Sequence, residues 1–591
     1  MHIAVVLRDR CQFKKCSQEC YHYCPLVRSG VKVVEFGEDG YPIISEELCE
    51  GCGICVHKCP FKAIKIINLP EELGEGLIHK YGKNGFRLYR LPSIPRNKVI
   101  GLIGPNGIGK TTAIKIMSGN LIPNFGEEKS SWDKVIERFS GTEYESYFSA
   151  LRDGEIKVAL KPQYVDMIPR IYRGKAIDLL KKVCEDTERI REISAHLGMD
   201  GFMNRDLSNL SGGELQILTI AAAILTDSDV LFFDEPSSYL DIKQRLKIAQ
   251  FLKKLSRERK VYVVEHDLAL LDFIADTVHI LYGSAGAYGI ISHPKSVRNG
   301  VNEYIAGFLR DENVRIRNWK IEFSVSAPKR RIGTSVICQW NPFRKKLGDF
   351  VLNAEGGEVY LGEVVGIVGP NAIGKTTFMK ILAGVLEPDD GSVVMPAKIS
   401  YKPQYIRIDY DGTVEDLLVE TLKEKLTDAF TKNEIIKPLG VDSIYNKEVN
   451  NLSGGELQTL AIAVCLAREA DIYLLDEPSA YLDSNQRMAV AKTILRVMEK
   501  SGSAAMIVDH DVYFIDAISS ALIVFRGKPS EYGDATSPMN MHEGMNLFLR
   551  DIGITFRREP TTKRPRINDP DSYLDRKQKE MGEYYYVVGA E

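Results

Sequence analysis

The 591-residue chain has no apolar run approaching the ~20 residues a bilayer-spanning helix requires, so no membrane partner is expected. Its start, Met1 to Arg10, is a short strand-like run broken by charge at Arg8 rather than a signal peptide. A soluble, cytoplasmic protein is the expectation. Strong net charge is also missing: −3 at pH 7 implies neither nucleic acid nor membrane by itself, so such partners have to be argued from local runs. Cysteine is nearly absent beyond residue 60, where only Cys184, Cys338 and Cys465 occur and read as small buried hydrophobes. The other eight crowd into the first 59 residues, and dense cysteines in a long intracellular chain bind metal or clusters more often than they form disulfides. At this length, and with 44% hydrophobic and 27% charged residues, the chain is globular and multidomain.

Cys49-x2-Cys52-x2-Cys55-x3-Cys59-Pro60 has the spacing of bacterial-type [4Fe–4S] ferredoxins. Cys11-x4-Cys16-x3-Cys20-x3-Cys24-Pro25 is a looser second run with the same ending. In two-cluster ferredoxins the fourth cysteine of each run serves the other cluster. That rule assigns Cys49, Cys52, Cys55 and Cys24 to one cluster, and Cys11, Cys16, Cys20 and Cys59 to the other. Zinc in four-thiolate sites is the alternative.

Gly104-Pro105-Asn106-Gly107-Ile108-Gly109-Lys110-Thr111-Thr112 follows an apolar run and returns as Gly369-Pro370-Asn371-Ala372-Ile373-Gly374-Lys375-Thr376-Thr377. Both fit G-x-x-x-x-G-K-[ST], in which backbone N–H groups and the lysine hold phosphates and the hydroxyl ligates magnesium. Other pieces are duplicated too. Lys161-Pro162-Gln163-Tyr164 is echoed by Lys402-Pro403-Gln404-Tyr405, and Ser211-Gly212-Gly213-Glu214 by Ser453-Gly454-Gly455-Glu456 at the head of a helical run. A helix start of that kind presents free N–H groups and a positive dipole end to a phosphate. Asp234-Glu235 and Asp476-Glu477 close apolar strands: the aspartate suits magnesium, and the glutamate can polarise an attacking water. His266 and His510 follow at similar distances, each after another apolar strand. The repeat offset is 265 residues at the loops but 241, 242 and 244 at the glutamines, serines and histidines, so one α/β domain with a mainly parallel sheet has been duplicated and the first copy carries an insertion.

That insertion reads as two short helices, the first capped by Ser130 and Ser131, with Trp132, Val135, Ile136 and Phe139 on one face and Tyr144, Tyr147, Phe148 and Leu151 on the next. Tyr81, Phe86 and Tyr89, ahead of the first loop, either stack on a base or pack in the core. Two similar pieces, Glu303 to Arg310 and Glu543 to Arg550, look like paired hinge elements. Basic residues gather nearby, at Arg315, Arg317, Lys320, Lys329, Arg330 and Arg331, and in the tail at Arg557, Arg558, Lys563, Arg564 and Arg566. Such runs either contact phosphate backbones or form a solvated surface.

With these motifs in both copies and the cysteine-rich leader, the chain resembles the E subfamily of ABC proteins, the ribosome-recycling type of archaea and eukaryotes, also called RNase L inhibitors. The resemblance implies an α+β ferredoxin-like domain with two [4Fe–4S] clusters (1–75), a first ABC P-loop NTPase domain (76–300, helix-loop-helix near 125–152), a hinge (301–323), a second ABC domain (324–530), and a second hinge with the tail (531–591). It implies ATP hydrolysis with Mg2+ at Thr111, Gln163 and Asp234, and at Thr376, Gln404 and Asp476, with Glu235, His266, Glu477 and His510 catalytic. One ATP would use the first loop with Ser453, Gly455 and Glu456, the other the second loop with Ser211, Gly213 and Glu214. Family adenine-stacking aromatics fall on Tyr81 and Phe86, but on Leu347 and Phe350 in the second copy, which leaves one aromatic there. The implied partners are the ribosome with its small subunit and ribosomal RNA, a release-factor-like or rescue protein, and initiation factors; the implied work is splitting ribosomes by ATP-driven closure. The competing classes are an ATP-driven iron–sulfur electron-transfer protein, a transporter ATPase subunit, and a zinc-binding DNA-repair ABC protein.

Overall fold

A computed structural model describes residues 2–69, 76–323, 335–394, 398–406, 408 and 410–586. Lys329, Arg330 and Arg331 lie outside the described residues. The chain forms two compact units, Met1–Pro236 with Leu252–Glu265 and Ala275–Asn318, and Ser237–Phe251 with His266–Ile274 and Trp319–Glu591.

The first unit begins with the cysteine-rich region. Strand His2–Val6 pairs antiparallel with Ile64–Asn68, and Val34–Phe36 with Pro42–Ile44. Three short helices, Glu19–His22, Pro25–Arg28 and Ile54–Lys58, carry or flank the cysteines. The core here is small, with Ala4, Val6, Val33, Val34, Ile44 and Ile64 packed against Cys20 and Cys55.

The cassette that follows is built on a nine-stranded sheet. Val158–Lys161, Val230–Asp234, Lys260–Val264, Val99–Ile103 and Thr277–Ser284 run parallel, and three of them read as unbroken apolar runs because helices cover both faces. Leu77–Lys80, Arg87–Tyr89 and Tyr288–Ile291 extend one side. The helix opened by Ser211, Gly212–Leu225, is apolar almost all round and nearly all buried. The insertion forms helices Trp132–Arg138 and Glu143–Arg152, the first capped by Ser131. Its aromatic faces turn into the cassette, where Tyr144 Oη donates to Leu91 O (3.1 Å) and Tyr147 Oη to Met117 O (2.6 Å).

The second unit repeats the sheet with Ile399–Lys402, Ile472–Asp476, Ala504–Val508, Val364–Val368 and Ala521–Lys528 as its parallel core. A three-stranded sheet, Gly357–Tyr360, Val336–Trp340 and Val393–Val394, stands beside it. The tail hairpin Phe556–Arg558 and Pro565–Ile567 packs in this unit, and here the basic run has a different use from the one its composition suggests. Arg558 makes a bidentate pair with Asp516, while Arg564, with no exposed side-chain surface, and Arg566 converge on Asp272. Arg317 is likewise buried and donates to Tyr304 O and Ile305 O. These guanidiniums are engaged inside the fold and are not presented to a phosphate backbone.

Candidate functional site

Each phosphate loop sits between a buried strand and a helix, Lys110–Met117 or Lys375–Leu382. Gly109 and Gly374 lie at φ +98°, and a Cβ on Gly109 would fall 2.7 Å from the Phe86 ring, so both the backbone conformation and the close approach demand glycine. The loop lysines cap their own loops: Lys110 Nζ donates to Gly104 O and Pro105 O (both 2.8 Å), and Lys375 Nζ to Gly369 O (2.9 Å). Burial pulls the Lys375 ammonium down to about 8.

The carboxylate pairs end their strands as expected, and each glutamate is held in the left-handed region at φ +49°. A non-glycine residue there is strained, and the surroundings fix it. Glu235 N donates to Val264 O and Glu477 N to Val508 O. Gln163 Nε2 donates to Glu235 Oε1 (2.6 Å) and Gln404 Nε2 to Glu477 Oε1 (2.8 Å), which joins the sequence-identified glutamines to the glutamates. Two further pairs escaped the sequence reading. Lys161 Nζ donates to Asp234 O (2.9 Å) and Glu235 O (3.2 Å), and Lys402 Nζ to Asp476 O (2.8 Å) and Glu477 O (3.3 Å). Gln216 and Gln458 donate to the same glutamate carbonyls at 2.7 and 2.6 Å. Recurrence in both copies was the available signal for all four. Burial lowers both lysines to about 8.

Thr111 Oγ1 donates to Asp234 Oδ2 at 3.2 Å. Burial raises Asp234, with Glu235 adding to it. Burial also raises Asp476, with the Thr376 hydroxyl beside it opposing the rise. Buried anions beside a threonine hydroxyl and a phosphate loop form a donor set that fits a hard divalent cation, so Mg2+ suits the residues present. Glu477 is raised by burial and by Asp476. His510 Nε2 lies 3.6 Å from Glu477 Oε1 and is held neutral, its pKa well below the usual value through burial and Lys375. His266 is buried in the second unit, where its carbonyl accepts from Ser484 Oγ (2.6 Å). In that unit Asn371 N donates to Asp241 Oδ2 (3.1 Å) and its side chain to Tyr239 O (3.0 Å), so segment 237–251 of the first copy touches the second loop.

Ser211 and Ser453 each close a capping box with Glu214 and Glu456. Those carboxylates also pair with Arg205 and Lys447, so their first duty is to fix the glycine-led helix start. Of the aromatics, Tyr89 is wholly buried core. Tyr81 is exposed, with its hydroxyl 3.4 Å from Thr112 Oγ1, and Phe86 packs on Gly109. In the second copy Phe350 packs on Gly374 and Leu347 is exposed.

Cys24, Cys49, Cys52 and Cys55 line one cavity with Val33, Val34 and Ile44. Cys11, Cys16, Cys20 and Cys59 lie close enough to disfavour one another's ionisation. Burial first, and neighbouring thiols second, push Cys11 and Cys55 up to about 11 and Cys20 to about 12. Thiols in such surroundings ionise only against a cationic partner. Four thiols around one space form a donor set that fits an iron–sulfur cluster.

The ABC transporter family model matches residues 92–238 and 352–480. The leader matches a possible Fer4-like domain in RNase L inhibitor over 1–32 and a 4Fe-4S binding domain over 42–65. ABC transporter E family member 1 of Arabidopsis thaliana is 43% identical over 99% of this chain and 98% of its own. The chain belongs to the E family of ABC proteins. Another relative of this family, translation initiation factor RLI1 of Saccharomyces cerevisiae, is 42% identical over 99% of this chain and 98% of its own. A solved structure titled a model of ribosome-bound archaeal Pelota and ABCE1 superposes at TM-score 0.94, with 51% identity and 99% of both chains covered. This E-family chain is therefore an ATP hydrolase with two ABC domains and an iron–sulfur-binding leader.

Proposed function

We propose that this protein binds the ribosome in the cytoplasm and splits it into subunits, driven by ATP-dependent closure of its two cassettes, after termination or rescue. The carrying observation is that in both copies a glutamine, a strained glutamate and a buried lysine stand in matching bonds, while four thiols of the leader line one cavity. In this reading each ATP lies on the phosphate loop of one copy and is completed by the Ser-Gly-Gly helix of the other. The bonds from Asn371 to Asp241 and Tyr239 support that exchange. Mg2+ would be held by Thr111, Gln163 and Asp234, and by Thr376, Gln404 and Asp476, where it neutralises phosphate charge. Glu235 and Glu477 orient and polarise the attacking water, and His266 and His510 steady the γ-phosphate side of each site. Two [4Fe–4S] clusters act as structure, each held by three cysteines of one run and the last of the other. The ribosomal context is supported by the ribosome-bound structure with Pelota and by the yeast relative's name as an initiation factor.

The test uses cluster-loaded protein, ATP, a release-factor-like protein and whole ribosomes on a density gradient. Conversion to separate subunits is expected, and an unchanged whole-ribosome peak at saturating ATP overturns the reading.

A further inference from the structure

In the second copy the strand Ile472–Asp476 runs into Glu477, Pro478 and Ser479, and its parallel neighbour Ala504–Val508 runs into Asp509, His510 and Asp511. The two strand exits are bonded to each other. Glu477 N donates to Val508 O at 2.8 Å, and two residues further on Ser479 N donates to Asp509 Oδ2 at 3.0 Å and Ser479 Oγ to Asp509 Oδ1 at 2.6 Å. Asp509 Oδ1 also accepts from Asp511 N at 2.9 Å. Ser479, Asp509 and Asp511 are all buried. Asp511 is a firm anchor, because it caps the helix Val512–Ile518 and takes a bond from the Arg487 guanidinium at 2.7 Å.

One buried carboxylate thus joins the chain just past Glu477 to the chain just past His510. The position needs a side chain that only accepts. The backbone N–H groups of Ser479 and Asp511 approach different oxygens, and an asparagine in either orientation would set its own N–H2 against one of them. The chain being held is strained, with Glu477 at φ +49° and Tyr481 at φ +62°. Left-handed residues other than glycine persist where their surroundings over-determine them. Val508 O, Lys402 and Gln458 fix the backbone of Glu477 itself, and the Asp509 clasp adds a hold on the chain beyond it. His510 Nε2, on the residue next to Asp509, lies 3.6 Å from Glu477 Oε1. The sequence repeats a serine and an acid at the corresponding places of the first copy, Ser237 and Glu265.

We propose that Asp509 is a positioning residue for ATP hydrolysis in the second copy: by gripping Ser479 and Asp511 together it sets Glu477 against His510. The inference rests on the proposed role of Glu477. Asp509 acts through those two side chains, so its loss costs turnover and spares ATP binding.

The test measures ATP turnover, and affinity for a non-hydrolysable ATP analogue, in full-length, cluster-loaded protein carrying Glu235→Gln, so that hydrolysis by the second copy is read. Adding Asp509→Asn should lower kcat about tenfold or more while affinity stays within about twofold. Ser479→Ala keeps the backbone N–H bond and loses the hydroxyl one, so its kcat should fall by a smaller factor. The double variant should fall no further than Asp509→Asn, because both changes open the same clasp. An unchanged kcat in Asp509→Asn, an equal loss of kcat and affinity, or losses that multiply in the double variant overturns the proposal. If Asp509→Asn does not fold, Ser479→Ala decides: a reduced kcat at unchanged affinity supports the proposal and an unchanged kcat overturns it. Glu477→Gln in the same background separates the two readings. Hydrolysis surviving there overturns the role of Glu477 and this proposal with it, whereas its loss beside a fully active Asp509→Asn overturns the Asp509 proposal alone.

Discussion

The two cassette copies agree in the bonds around the Asp-Glu pair and differ in what surrounds those bonds. In both, the glutamate sits at φ +49°, a glutamine grips its carboxylate and a buried lysine spans two carbonyls. Around that constant centre the first copy has two aromatics by the loop, a helical insertion and the cysteine-rich leader. The second has Leu347 and Phe350, no insertion, and Ala372 where the first has Gly107. The bonds at the centre recur while the rim around them has diverged.

The most damaging way to break the likeness is to remove the buried lysine from one copy. Lys161→Met or Lys402→Met orphans two buried carbonyls, each costing ~1–3 kcal/mol, and frees a strained glutamate. Hydrolysis at the altered copy should fall far more than nucleotide binding, as separate ATPase and binding titrations would show; equal losses would make the lysine a mere packing element. His510→Ala should cost on the order of 10²-fold in turnover, and His266→Ala the same if the copies are equivalent. A tenfold difference between the two variants in steady-state rate would put the asymmetry in the histidines.

Buried carboxylates give a third contrast. Asp476 has a raised pKa, so its charge is favourable to folding nowhere: below the unfolded value near 3.8 it costs nothing, and the penalty grows as pH rises through the folded value. Asp476→Asn should therefore stabilise the metal-free protein by ~1–2 kcal/mol at neutral pH, and hardly at all below pH ~4. Asp234→Asn should act in the same direction, because burial raises Asp234 as well. Thermal denaturation at two pH values checks both. The smallest effect lies in the loops. Ala372 adopts φ +55°, a conformation glycine takes without strain, so Ala372→Gly should stabilise by ~0.5–1 kcal/mol and Gly107→Ala should do the reverse. Denaturant titration resolves changes of that size.

Much of this was legible in the sequence because local physics dominates it. Glycine-lysine loops after apolar strands, serine-capped helices and Asp-Glu pairs at strand ends each declare themselves within ten residues. The insertion's aromatic stripes gave its packing face. What the sequence concealed depends on distance. Lys161 and Lys402 precede Pro-Gln and look like surface lysines until a strand 73 residues away lies over them. The tail arginines look like a polyphosphate surface because Asp272, which Arg564 meets, is 292 residues earlier.

The claim that both copies fire is tested most directly by ATP turnover in Glu235→Gln, Glu477→Gln and the double variant, with nucleotide retention measured alongside. Each single variant should keep hydrolysis at the other copy, and the double variant should hold ATP with turnover reduced by two orders of magnitude or more. Undiminished hydrolysis in the double variant would contradict the role given to the glutamates, and a single variant as inactive as the double would contradict two independently competent sites.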